Sequence, residues 1–497
     1  MVDYENTDAV GLAALVRSGE VTAVELVNAA ISRIEAHDGA INAVVRRRFE
    51  QARAEAAGDL PDGPLKGVPY LLKDLHVAVA GESTGGGTAL LQDLPLDYDS
   101  HTVQRLRAAG VVVLGRTNTP EFGIMGITEP RVVGPARNPW NPDHTPGGSS
   151  GGSGAAVAAR YVPAAHASDG GGSIRIPASH CGLVGLKPTR ARTSLGPHYG
   201  EGWGGLSGEH AVTRTVRDSA ALLDATRGPA PGGPYQVRAP ERPYLEEVGR
   251  DPGKLRIAVI TRSLLAGENH ADVQAATEAA ARLAQELGHE VEVVDLPVSG
   301  DDLRRAYFFS VAAGVYADVA ETAAAAGRKP KASDFEPTTW TFYRMGQSVP
   351  AGEWERSRRL MHRAGFAWHE ALGAFDVVLT PTCGRPPAKV GELYPDASKE
   401  RLMRLFRVPG TGPVLLSLMD GIAEDALSAT PNTQLANLLG LPAVSLPLHW
   451  NGDGLPIGTQ WIGQFGREDV LFRLAAQLEE ARPWADRRPD LAALEGP

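Results

Sequence analysis

Apolar residues recur at helical intervals near the start of the chain. Leu12, Leu15 and Val16 make one short stripe, and Val24, Leu26, Val27, Ala30 and Ile31 make a second beyond a break at Gly19, so residues 8–58 read as helical. Further on, the pattern changes to near-continuous apolar runs. Residues 67–79 and 109–114 predict buried strands, with a helix over 99–108 between them in a βα pattern. Small residues predict a helix over 155–161 and a short strand over 164–168. A Gly- and Pro-rich seam at 227–243 precedes strands over 255–260 and 290–294 that flank a helix over 272–287. Helices over 302–325 and 353–372 follow, then a buried strand over 376–379. Residues 438–460 return to the strand-and-loop style of the first half, and a helix near 468–481 closes the pattern. No internal repeat or low-complexity tract interrupts it. This order predicts one α/β domain: a helical region at 8–58, a core over 65–226, an embedded and more variable α/β segment over 253–425, and the core resumed over 426–490.

Composition adds a few exclusions. With 43% hydrophobic and 22% charged residues the chain can fill a large core, and 57 glycines and 37 prolines spread through apolar segments argue for tight loops rather than disorder. A net charge of −10 without a long basic run argues against nucleic acid or an anionic membrane as partner. Two cysteines far apart, Cys181 and Cys383, make neither a disulfide framework nor a Cys-based zinc site. The opening Met1-Val2-Asp3-Tyr4-Glu5 is acidic, and no segment offers the roughly 18 uninterrupted apolar residues of a membrane span. A soluble cytoplasmic protein is expected.

Candidate chemistry lies in two glycine-rich loops. The first reads Gly147-Gly148-Ser149-Ser150-Gly151-Gly152-Ser153-Gly154, and the second Asp169-Gly170-Gly171-Gly172-Ser173-Ile174-Arg175, which places Ser173 24 residues after Ser149. A serine hydroxyl needs an adjacent base to act as a nucleophile, and a tetrahedral intermediate needs donors aimed at its oxyanion. Three glycines let the backbone curl so that the N–H groups of Gly170, Gly171, Gly172 and Ser173 converge as an anion-binding nest. A Gly-rich turn capping a helix at Ser173 is the plainer alternative. Lys73 interrupts the apolar run Val68-Pro69-Tyr70-Leu71-Leu72, where desolvation would favour the neutral amine that a general base must be. A snorkelling lysine, or one paired with Asp74, explains the same residue without chemistry. Ser149 can relay a proton between Lys73 and Ser173, or merely cap the following helix, while Ser150 suits a turn.

Two rival motifs fail on context. Gly148-Ser149-Ser150-Gly151-Gly152 fits the nucleophile-elbow spacing with Ser150 at its centre, but an elbow follows a hydrophobic strand and this loop follows Asn138-Pro139-Trp140-Asn141-Pro142. A phosphate-binding loop needs a lysine after its glycines, and none is present. His166, His180, His198 and His210 lack metal-ligand spacing and read as structural or pocket-lining. Cys181 beside His180 makes a poor nucleophile pair, because adjacent residues of a helix or strand point apart. Phe122, Met125, Ile127, Trp203, Phe335 and Trp340 are candidates for an apolar acyl or aryl pocket.

The loops and Lys73, continued by Ile174-Arg175-Ile176-Pro177-Ala178-Ser179 and Gly185-Leu186-Lys187-Pro188-Thr189, resemble the amidase signature family. Gly115-Arg116-Thr117-Asn118-Thr119-Pro120-Glu121, Gly440-Leu441-Pro442-Ala443 and Gly454-Leu455-Pro456-Ile457-Gly458-Thr459-Gln460 extend the likeness over almost the whole chain, weakest over 227–425. The resemblance implies a mixed central β-sheet surrounded by helices in a single large domain. It also implies a triad of Ser173 as nucleophile, Ser149 in a cis peptide as bridge and Lys73 as base, with Ser150, Asp169 and Arg175 supporting the loop. The implied reaction is hydrolysis of a linear or cyclic non-peptidic amide through an acyl-enzyme, without metal or cofactor. Its partner is a small-molecule amide, and a homodimer is compatible with it. A glutamine-hydrolysing subunit of a tRNA-dependent amidotransferase, an aryl ester or carbamate hydrolase, and a catalytically silent binding protein are the alternatives. Two departures stand out: Ala191 follows Arg190 where glycine is usual, and His166 sits where glycine is common, a change expected to alter packing behind the nucleophile loop.

Overall fold

The computed structural model describes residues 3–408 and 410–492. Its strands are β1 (Val44–Arg47), β2 (Pro69–Lys73), β3 (Val112–Thr117), β4 (Ala164–Asp169), β5 (Val184–Lys187), β6 (Gly208–Thr213), β7 (Arg256–Val259), β8 (Glu290–Val293), β9 (Val377–Pro381), β10 (Ala443–Trp450) and β11 (Pro456–Gly463). They form one sheet in the order β1-β3-β2-β4-β6-β5-β10-β11-β9-β7-β8. Pairing is parallel at β2–β3, β2–β4, β7–β8 and β7–β9, and antiparallel at the other junctions. The sheet is therefore mixed, and the later α/β segment adds β7, β8 and β9 to it rather than building a sheet of its own.

Helices cover this sheet. Ala9–Ser18 and Ala23–Ile41 bury Leu12, Leu26, Val27 and Ile31 in a core that includes Leu72 of β2 and Leu114 of β3. A capping box at Thr22 and Glu25 starts the second of these helices, satisfying backbone donors at its end. Gly300–Ala325, Pro337–Gly346 and Ala351–Leu372 share a second core with the short helices near 412–439. Val216–Thr226 and Glu468–Ala481 pack on β5, β10 and β11 in a third.

Several elements differ from the pattern-based expectation. Residues 8–58 are not helical throughout, because β1 lies inside them between Ala23–Ile41 and the helix Phe49–Ala57. Its four residues end in Arg46 and Arg47 and sit at the sheet edge against β3, so they carry no apolar run. The first buried strand stops at Lys73 instead of reaching 79, where the chain turns through His76 at φ 60°. The second is displaced, from 109–114 to Val112–Thr117, because Ala109 and Gly110 serve the exit from helix His101–Ala108. Strands β5 and β6 were not signalled, since lysine, glycine, glutamate and histidine break their apolar pattern. Ala191 holds φ 63°, a left-handed conformation that accounts for glycine being usual there.

Candidate active site

β2 delivers Lys73 to the centre of the molecule, where its side chain is fully buried. The parallel register of β2 with β4 sets Leu71 level with Ala165, and so brings Lys73 to the end of β4. There Lys73 Nζ lies 2.6 Å from Ser149 Oγ and 3.0 Å from Ser168 Oγ. Burial pulls the Lys73 ammonium down to about 7, against the opposing pull of the Asp169 and Glu209 carboxylates. Pairing with Asp74 does not occur: that carboxylate takes the Arg46 guanidinium at 3.2 Å and the Gly85 N–H at 2.9 Å.

The Gly148–Ser149 peptide is cis and Ser149 is buried. Ser150 opens the helix Gly151–Ala158 without a side-chain capping bond. Its hydroxyl instead meets the backbone of Ser168, donating to the carbonyl and accepting the N–H, each at 3.3 Å, and its N–H donates to the Ser173 carbonyl at 3.3 Å. Ser150 thus fastens the two serine loops to each other.

Asp169 organises the second loop. Its carboxylate accepts the Gly172 N–H at 2.7 Å and the Ile174 N–H at 3.2 Å, and receives two bonds of 2.9 Å from the Arg175 guanidinium. Burial would raise this acid, but Arg175, together with Asn437, holds it at about 2. Arg175 is itself fully buried and reaches the Thr433 carbonyl at 2.7 Å, Gln460 at 2.6 Å and Asn437 at 2.6 Å. One expectation is corrected here. The Gly172 N–H is engaged by Asp169, so it does not join those of Gly170, Gly171 and Ser173 in an open nest. Gly172 contributes space instead: at φ 126°, a Cβ there would stand 2.2 Å from Thr433 Oγ1.

Ser149 and Ser173 open into one cavity of about 330 Å³. Of the aromatic and aliphatic candidates, Phe122 and Trp203 line it. Phe335 and Trp340 do not, because they stack on one another in the core behind Phe122, with ring centroids 6.3 Å apart and Phe335 6.0 Å from Phe122. Met125 and Ile127 also lie outside the lining, and the Ile127 backbone instead backs Gly148, where a Cβ would come within 2.5 Å of its carbonyl oxygen. Missed by sequence reasoning were Ser168, His76, Tyr199 and Trp354, and the carboxylates Glu201, Asp318 and Glu321. One signal was there to be read: Ser310, Ala313, Gly314 and Ala317 recur at helical spacing, the mark of a face kept small.

His166 is buried on β4, and its ring lies 3.7 Å from the Glu209 carboxylate, which also accepts the Thr102 hydroxyl at 2.7 Å and reaches the cavity wall. His210 meets the Ser219 hydroxyl at 2.9 Å, and His198 packs between Tyr98 and Tyr199. Burial drives the His180 imidazolium down to about 3 and pushes the Cys181 thiol up, so that pair is inert. Among the described residues no cluster of His, Cys, Asp and Glu is arranged to hold a metal, and no helix is long and apolar enough to cross a membrane.

A mixed sheet thus sets a buried lysine behind a cis-linked serine that shares one cavity with a second, glycine-braced serine, and this fold and site fit the class of amide hydrolases. A model of the amidase family matches residues 25–472, and the chain belongs to that family. It is 39% identical over 495 residues to the 6-aminohexanoate-cyclic-dimer hydrolase of Paenarthrobacter ureafaciens, covering 97% of this chain and 96% of that one. The structure of a 6-aminohexanoate cyclic dimer hydrolase complexed with substrate superposes with a TM-score of 0.88 at 37% identity, covering 99% of this chain and 100% of that one. A bacterial aryl acylamidase of the amidase signature family superposes with a TM-score of 0.85 at 26% identity, covering 99% of both chains. The chain is an amide-cleaving hydrolase.

Proposed function

We propose that the chain hydrolyses linear or cyclic non-peptidic amides with a hydrophobic acyl or aryl part, through Ser173, Ser149 and Lys73. The observation that carries this reading is the fully buried Lys73, depressed to about 7, with its nitrogen 2.6 Å from Ser149 Oγ. A lysine that loses its proton near neutrality can serve as a base. The neutral Lys73 amine takes the Ser149 proton as Ser149 takes that of Ser173, and Ser173 Oγ bonds to the substrate carbonyl carbon. The N–H groups of Gly170, Gly171 and Ser173 remain to receive the oxyanion. Collapse of the tetrahedral intermediate breaks the C–N bond, the relay returns its proton to the departing amine, and water then cleaves the acyl-enzyme.

Aryl amides, esters and carbamates form the same acyl-enzyme and are expected as further substrates. Glutamine is disfavoured, since among the described residues its α-carboxylate would find no lysine or arginine on the cavity wall.

Labelling tests the nucleophile directly. A fluorophosphonate probe is expected to modify the wild type at Ser173, and Ser173→Ala should neither be labelled nor turn over an anilide. Full activity in Ser173→Ala would remove the mechanism. The base has its own signature: kcat/KM should rise through about pH 7 with unit slope and level off above it, because the working form of Lys73 is the deprotonated one. A profile that falls across the same range would contradict that role.

A further inference from the structure

The helix Gly300–Ala325 turns one face to the cavity. Along that face Ser310, Ala313, Gly314 and Ala317 keep the wall low, and Asp318 and Glu321, one turn apart, end it with two carboxylates. Trp203 faces them from the other wall and is held by its neighbours on both sides. A Cβ on Gly314 would stand 2.3 Å from its indole, and one on Gly170 of the nucleophile loop 2.9 Å. Both glycines therefore make room for the ring. The Trp203 Nε1–H donates to Asp318 Oδ2 at 3.2 Å, which orients the carboxylate beside the ring.

The charges on this wall are one-sided. Glu201, Asp318 and Glu321 line the cavity, and none of the three makes an ion pair with lysine or arginine among the described residues. Glu201 accepts the Tyr235 hydroxyl at 2.6 Å and lies in the field of the Arg190 guanidinium behind the wall, so the uncompensated pair is Asp318 and Glu321. Among the described residues no lysine or arginine lines this cavity; His76 does, and its ring acts on Asp318 from across it. Asp169 and Glu209 also reach the wall, but each has its own buried partner, Arg175 and His166. Burial pushes the Asp318 carboxyl up, a cost that a cation in the cavity would offset. Trp203 and Trp354 add aromatic surface on which a cation is attracted to the ring faces.

Resting on the reading that this cavity receives an amide, we propose that the amide carries an ammonium several bonds from its scissile carbonyl, held by Asp318 and Glu321 beside the Trp203 and Trp354 rings. The acids alone would be a solvated patch. Their place on the wall of the cavity that holds the candidate nucleophile makes them selective for substrate. Ring opening would itself create such a group. The amine leaving the carbonyl stays tethered through the acyl chain, receives one proton from the relay and one from water, and becomes an ammonium while its other end is esterified to Ser173.

Two matched series test the proposal. Hexylammonium, 1-hexanol and hexanoate are titrated into the wild type, with calorimetry and tryptophan fluorescence as readouts that need no turnover. Hexylammonium is expected to bind at least about tenfold tighter than the other two, the range of one charge-assisted contact. The anilides of 6-aminohexanoate, hexanoate and adipate are then compared by kcat/KM, with the order ammonium, neutral, carboxylate expected. In the Asp318→Asn/Glu321→Gln double variant the ammonium-to-neutral ratio should fall close to one in both series, a ratio that cancels any loss of folded protein. Glu278→Gln, exposed on the helix Ala271–Glu286, should leave the ratio as in the wild type. Equal binding of the three hexyl compounds, or a ratio unmoved by the double variant, overturns the proposal. Turnover without charge preference would refute the ammonium site and leave the amidase reading standing. Charge-selective binding without turnover of any anilide would do the reverse.

Discussion

Lys73→Met is expected to lower kcat by about three orders of magnitude and, below pH 7, to make the protein more stable than the wild type. The first effect follows from removing the proposed base of the relay. The second follows from what a buried ammonium costs. The Lys73 amine is pulled from its ordinary 10.5 to about 7 by burial, so the unfolded chain holds this proton more tightly than the folded one. Between pH 7 and 10.5 the unfolded state binds more protons, and stability rises with pH across that window. Below pH 7 both states are charged and the penalty is at its full size, roughly 5 kcal/mol at about 1.4 kcal/mol per unit. For a chain this long that is about 5 °C in melting temperature. Melting curves of both proteins at pH 6 and pH 10 check the sign: the variant should lead at pH 6, and the gap should shrink at pH 10. Lys187, also buried and pulled to about 7, contributes the same slope to both proteins and cancels from the difference. A variant that melts below the wild type at pH 6 would mean that the Ser149 and Ser168 contacts outweigh desolvation.

Arg175→Met, by contrast, should destabilise the fold. It leaves the Asp169 carboxylate, fully buried, facing only Asn437 and two backbone N–H groups. Removing one partner of a buried ion pair costs about 3–5 kcal/mol. Asp169 lies near 2 only with Arg175 present, and burial alone would drive it up until it takes a proton. The pair stabilises the fold above pH 4, and that contribution is lost as pH falls toward 2. Urea titrations of the wild type, Asp169→Asn, Arg175→Met and the double variant would give the coupling, expected to exceed about 2 kcal/mol in their favour. Fluorophosphonate labelling of Arg175→Met should slow sharply, because the carboxylate that shapes the Gly170–Ser173 turn would be held in no fixed direction.

How much of this was legible from residues alone differs from group to group. Lys73 stands out because an ammonium inside an apolar strand needs a reason, and the paired serine loops stand out because consecutive glycines are costly unless close approach requires them. The βα rhythm of β2, His101–Ala108 and β3 follows from apolar runs, although β2 ends six residues before its apolar run does. What local pattern does not carry is which surfaces meet. The acidic wall comes from helix Gly300–Ala325, over a hundred residues from Ser173, and its polar turn at Asp318 and Glu321 looks like any solvated helix face. Phe335 and Trp340 carry the same aromatic signature as Trp203, and only tertiary packing sends them to the core and Trp203 to the cavity. Central strands β5 and β6 escape because the residues that make them useful, Lys187, Glu209 and His210, are the ones that spoil their hydrophobic pattern.

The bonds that join Arg175 to Thr433, Asn437 and Gln460 also set a timetable. Lys73, Ser149 and Ser173 all leave the ribosome in the first half of the chain, together with the strands that carry them. Their loop, however, closes on side chains made more than 250 residues later, and at synthesis rates of about 5–20 residues per second that is a delay of tens of seconds. A nascent chain that has not yet reached residues 433–460 thus holds Lys73, Ser149 and Ser173 without the contacts that fix the loop of Ser173, and the proposed hydrolysis would wait on them.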